Sequence, residues 1–131
     1  MSDDIITVLE EFFRDESNVT VAILYGSAAH DRMKPGSDVD IAVMLVVESP
    51  TIVDDLSYAL ELILRKEVDI LVLNRADPII SMQVLIYGIL LKNIKGAYEN
   101  FFAYTTTAYH DLKITRKPCE DSLLRRFADV R

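Results

Sequence analysis

Near the N-terminus apolar residues recur at helical spacing. In DDIITVLEEFFRDE (3–16), Ile5, Leu9, Phe12 and Phe13 share one face, with Ser2 as a candidate N-cap and Asp3 and Asp4 at the positive end of the helix dipole. The pattern then becomes continuous and β-branched in NVTVAILYG (18–26), which reads as a buried strand ended by Gly26. Residues 27–34 have room for a short helix, stopped by the turn signal Pro35–Gly36. DVDIAVMLVV (38–47) predicts a second strand, broken by Ser49–Pro50. A helix over about 52–66 follows, with Thr51 and Asp54 spaced as a capping box and Ile52, Leu56, Ala59, Leu60, Ile63 and Leu64 as its apolar face. EVDILVLN (67–74) predicts a third strand, and Asp77–Pro78 an N-cap and first-turn proline for a helix over roughly 79–87. Gly88 can end that helix, ILLK can add a fourth strand, and a further helix runs from Gly96 to about Lys113. Beyond Pro118 lies a last amphipathic stretch, EDSLLRRFADV.

Helices alternating with strands in this way imply an α/β (α+β) fold, a small mixed sheet flanked by helices; the pattern does not give the strand order. The 131 residues make about one domain, and half of them are hydrophobic, enough for one sizeable core. The balance is acidic, with 21 Asp and Glu against 14 Lys and Arg and a formal net charge of −7. That balance argues against direct nucleic-acid binding, which calls for a basic surplus, but leaves room for a nucleotide bridged by cations. A single cysteine, Cys119, excludes an intramolecular disulfide framework and stands without companion metal ligands. Acids in place of a basic N-terminal flank, and apolar runs no longer than a strand, point to a soluble cytoplasmic protein with no membrane segment.

The chemistry is concentrated in YGSAAHDRMKPGSDVDIAV (25–43). Side chains alternate along a strand, so Asp38 and Asp40 project from one face at the start of theirs. Asp69 occupies the same place in the next strand, and if the two strands are neighbours three carboxylates converge. Like charges so close raise one another's pKa unless a cation lies between them. Oxygen-only ligation with room left for phosphate oxygens suits Mg²⁺. Upstream, Gly26 and Ser27 offer free N–H groups and a hydroxyl where a strand turns into a helix, a geometry suited to phosphate. His110, the aromatic series Tyr98, Phe101, Phe102, Tyr104 and Tyr109, and Arg125–Arg126 read more simply as surface or packing residues.

Gly26–Ser27, ten intervening residues, Asp38-x-Asp40 and a later Asp69 resemble the signature of the nucleotidyltransferase superfamily, the fold of DNA polymerase β. The length resembles that of its minimal members. Motif support covers about residues 19–92, and the C-terminal helical part, about 96–131, is similar only in general layout; the whole chain, 1–131, is expected to be one domain. The resemblance implies two Mg²⁺ ions held by Asp38, Asp40 and Asp69, with Asp69 also helping to deprotonate the attacking hydroxyl. It implies that Gly26 and Ser27 grip the triphosphate of ATP, with Ser37 as a further cofactor-binding residue.

Minimal nucleotidyltransferases of this kind are paired with a HEPN-type RNase toxin and, as antitoxins, transfer AMP to one of its tyrosines. The resemblance therefore implies a hetero-oligomer with such a partner. This chain is not the toxin, because neither His30 nor His110 follows an arginine at the Arg-x4–6-His spacing of those RNases. GSAAHD departs from the usual Gly-Ser-x-Ala-Arg-Gly, replacing Arg-Gly by His30–Asp31, with Arg32 or Lys34 as possible compensation. That departure keeps open a binding antitoxin that acts by occlusion. A small-molecule transferase of the aminoglycoside-modifying kind is the third reading, though such enzymes carry an added helical domain.

Overall fold

The structure, a computed structural model, describes residues 2–26 and 38–112. Helix α1 (Ser2–Arg14) leads into strand β1 (Val19–Tyr25), followed by β2 (Val39–Leu45), α2 (Pro50–Leu64), β3 (Val68–Val72), α3 (Pro78–Tyr87) and β4 (Ile89–Asn93). A last helix, α4, runs over 97–112. The four strands form one mixed sheet in the order β3-β2-β1-β4, with β2 parallel to β3 and β1 antiparallel to both β2 and β4. The expected α+β architecture is borne out, including the short fourth strand. The expected helices over 27–34 and 120–130 lie outside the described residues.

Alternation along the strands separates two cores. On one face Leu24, Val39, Ile41, Val43 and Leu45 pack with Leu9 and Phe13 of α1 and Leu56 and Leu60 of α2. Leu9, Phe13 and Leu60 are fully buried, each contributing about 1.5–3 kcal/mol of transfer free energy. On the other face Val21, Ile23, Ala42 and Leu73 pack with Val84 of α3 and Phe101 of α4. Of the apolar face read for α2, Leu56 and Leu60 are buried, Leu64 is partly buried against the same core, Ile52 and Ala59 are half-buried, and Ile63 is exposed. One sheet face covers only part of a helix, so Ile63 stays in solvent.

Local signals behave unequally. Asp77 caps α3 as expected, its Oδ1 accepting from the Ile80 N–H at 2.9 Å, with Pro78 in the first turn. At α2 the cap is Ser49, not Thr51, because Pro50 already occupies the first helical turn; Ser49 makes no side-chain capping bond. Ser2 lies inside α1 rather than before it. Strand β2 stops at Leu45, two residues short of the apolar run, leaving Val46 and Val47 exposed.

Two asparagines explain that ending. The Val47 N–H donates to Asn18 Oδ1 at 2.8 Å, and Asn18 Nδ2 donates to the Val47 carbonyl at 3.0 Å. On the other side the Leu45 N–H donates to Asn74 Oδ1 and Asn74 Nδ2 to the Leu45 carbonyl, both at 2.9 Å. Each side chain satisfies a donor and an acceptor, as a ladder partner would. Elsewhere Lys92 of β4 donates to the carbonyls of Phe13 at 2.6 Å and Glu16 at 2.7 Å, fastening the C-terminal end of α1 to the sheet.

Candidate functional site

The opposite end of β2 carries the acids. Tyr25 pairs with Asp40 across the antiparallel β1–β2 ladder, and Asp40 pairs with Asp69 across the parallel β2–β3 ladder. Directly paired residues share a face, so Tyr25, Asp40 and Asp69 form a row over three strands about 4.8 Å apart. The row lies on the α3/α4 face, in line with Ile23, Ala42 and Leu71. Asp38, exposed and one residue ahead of β2, has the parity of Asp40.

Helix α2 sets where Asp69 stands. Ser57 Oγ donates to the Val68 carbonyl at 3.1 Å, and the Val68 N–H donates to Glu61 Oε2 at 3.0 Å. Ser57 and Glu61 are four residues apart and so face the strand together. The Val39 N–H donates to the Glu67 carbonyl at 2.8 Å, registering β2 against β3 just ahead of the two acids.

Gly26 closes the row on the β1 side. Its φ of +75° lies in the left-handed region, which penalises any side chain. A Cβ there would also run into the Asp40 carboxylate, so the backbone of Gly26 lies directly against that group. Glycine is thus required twice over, by conformation and by the close approach of the acid.

Among the described residues, the acids act on one another without a cation between them. Burial pushes the Asp40 carboxyl above the ordinary carboxylate range, and the charges of Asp69 and then Asp38 push it further. Burial likewise raises the Tyr25 phenol, with Asp40 and Asp69 adding to the shift. Among the described residues the one ion pair, Arg75 with Glu48, lies near the other end of β2. Repelling carboxylates provide the donor chemistry of a hard divalent cation, which would relieve the repulsion. No three acidic, histidine or cysteine side chains among the described residues stand close enough to form a ready-made metal cage. The residues fit a cation whose shell is completed by waters and a phosphate ligand, rather than one enclosed by protein.

The structure therefore brings Asp40, Asp69 and Gly26 together, with Asp38 near enough to act on Asp40 through its charge. Ser27 and Ser37 lie outside the described residues, as do His30, Asp31, Arg32, Lys34, Cys119 and Arg125–Arg126. His110 is exposed on α4. The aromatic series divides: Phe101 is buried and Tyr98 packs beside it, whereas Phe102 and Tyr104 are exposed. Sequence reasoning passed over Tyr25. Its place beside Gly26 was visible, but its pairing with Asp40 depends on strand order. No helix among the described residues is long and apolar enough to cross a membrane.

Comparison with solved structures finds the same fold in several of them. A chain of a toxin–antitoxin complex solved with AMP-PNP superposes with a TM-score of 0.75 at 24% identity, covering 94% of this chain and 98% of that one. A chain from the complex of tri-AMPylated Shewanella oneidensis HEPN toxin with MNT antitoxin gives 0.74 at 23% identity, over 95% and 99% of the two chains. A chain of an MntA–HepT toxin–antitoxin structure gives 0.68 at 23%, over 94% and 96%. No curated protein is matched. These likenesses show the α+β fold. The family model for polymerase beta, nucleotidyltransferase, matches residues 8–96, and the chain belongs to that family of nucleotidyltransferases.

Proposed function

We propose that the protein transfers AMP from ATP to a tyrosine hydroxyl of a HEPN-type toxin, with Mg²⁺, and so acts as its antitoxin. The observation that carries this reading is the pairing of Asp40 with Asp69, with Asp40 packed against Gly26. The family supports nucleotidyl transfer, and the relatives solved with AMP-PNP and with a tri-AMPylated toxin support the nucleotide and the partner. The whole chain acts as one domain in this reading, and a cytoplasmic location, where ATP is available, belongs to it.

Asp38, Asp40 and Asp69 would hold the cations, while Gly26, Ser27 and Ser37 would contribute donors to the triphosphate. When bound, Mg²⁺ neutralises the carboxylates and the charge that develops on the departing pyrophosphate. The acceptor oxygen forms a bond to the α-phosphorus, the bond from that phosphorus to the bridging oxygen breaks, and pyrophosphate leaves. Asp69, on the far side of Asp40 from Gly26, takes the hydroxyl proton or passes it to water.

The test combines the protein, the product of the adjacent reading frame, ATP and Mg²⁺, with intact mass as the readout. A gain of one or more AMP units on the neighbour, absent when Asp38→Asn and Asp40→Asn are combined, is the expected result. The loop GSAAHD, lacking the usual arginine, favours a second reading in which the chain neutralises its partner by occlusion alone. An unchanged mass with the toxin still silenced on mixing would establish that one.

A further inference from the structure

The row on the sheet holds one member with no part in the chemistry above. Tyr25 is the last residue of β1, directly before Gly26, and is paired with Asp40, itself paired with Asp69. Its ring packs against the cluster of Val21, Ile23, Ala42, Val84 and Phe101, which limits the directions its hydroxyl can take.

We propose that Tyr25 is a substrate-contacting residue of the transfer site, its hydroxyl donating a hydrogen bond to a phosphate oxygen of the nucleotide held over Asp40 and Asp69. The assignment rests on the transferase reading. Two observations and one chemical expectation support it. Tyr25 and Asp69 flank Asp40 on opposite sides, so Tyr25 lies on the Gly26 side, assigned to the triphosphate, and away from the acceptor side. The phenol stands in the same row, one strand from Asp40, and an ordinary phenol keeps its proton at neutral pH, leaving a neutral donor. With cations held by the carboxylates of that row, a phosphate oxygen would be an acceptor for that donor. Phenylalanine would pack equally well against the cluster, so the core does not account for the hydroxyl.

Tyr25→Phe removes that oxygen and keeps the ring. Calorimetric titration with AMP-PNP in Mg²⁺ is expected to show binding weakened about tenfold, the scale of one hydrogen bond to a charged acceptor. In the transfer assay KM for ATP should rise similarly, KM for the acceptor protein should hold, and the melting temperature should not move. Wild-type nucleotide affinity in Tyr25→Phe would overturn the assignment, as would a loss confined to the acceptor's KM. Asp40→Asn, run beside it, separates the two ideas. If it abolishes transfer while Tyr25→Phe is silent, only Tyr25 is misassigned; if it leaves transfer intact, the carboxylate site itself is wrong.

Discussion

The two ends of strand β2 are built on opposite principles. At its C-terminal end Asn74 bonds both the N–H and the carbonyl of Leu45, and Asn18 does the same for Val47. At its N-terminal end, a few residues away, Asp40 faces Asp69, feels Asp38, and is pressed by the backbone of Gly26. One end satisfies its polar groups; the other gathers charges of one sign, with no cation among the described residues to pair with them. A strand held firmly at one end and by both neighbours can carry such strain at the other. Local strain of this kind is informative about function because the surrounding structure must maintain it.

Substitutions at the two ends should therefore separate activity from stability. The largest effect is expected for Asp40→Asn, which should lower AMP transfer by at least about 10²–10³-fold, the scale of losing one preorganised charge-stabilising group. Its melting temperature in metal-free buffer should be unchanged or slightly higher, because the repulsion is relieved. A marked drop would mean that Asp40 serves the fold.

Gly26→Ala should affect both properties. A left-handed φ costs a non-glycine residue about 1–2 kcal/mol, and the new methyl group must displace the Asp40 carboxylate. Denaturant unfolding should show the stability loss, and transfer should fall more than that loss explains.

Asn74→Ala tests the other end. Leaving the Leu45 N–H and carbonyl without their partners should cost about 1–3 kcal/mol in urea unfolding, with kcat for transfer retained at temperatures where the variant is folded. Equal loss of activity would show that the two ends are coupled through the strand.

The smallest effect is in pH dependence. Asp40 has a folded-state pKa above its unfolded value, so its ionisation costs the folded state. Its contribution is most favourable below the ordinary carboxylate pKa and declines as pH rises through the raised folded value. Melting curves in metal-free buffer should show a shallower decline over that range for Asp40→Asn than for the wild type. A steeper decline in the variant would reverse the assigned sign.

Much of this was legible in the sequence because the signals are local. Period-two and period-3.6 patterns fix which residues can share a face, and Asp77–Pro78 specifies its own helix start within three residues. The pairing of a glycine turn with two acids at i, i+2 is likewise a short-range feature. Errors arose where several local choices competed. At 49–54 both Ser49 and Thr51 can cap a helix, and Pro50 decides for Ser49. Past the strand the apolar run continues at Val46, whose N–H donates to the Asn18 backbone carbonyl, and at Val47, whose backbone the Asn18 side chain receives.

By itself, then, the sequence determined the elements, the faces of the strands and the identity of the acids, since each depends on residues close along the chain. Only the tertiary structure decided that β1 lies beside β2 and β3 on its other side, in registers that align Tyr25, Asp40 and Asp69. Register is a long-range property: it comes from packing α1 and α2 on one face, α3 and α4 on the other, and from the grip of Ser57 and Glu61 on Val68. A shift of one residue would turn the acids of β2 and β3 to opposite faces, and no local pattern forbids it.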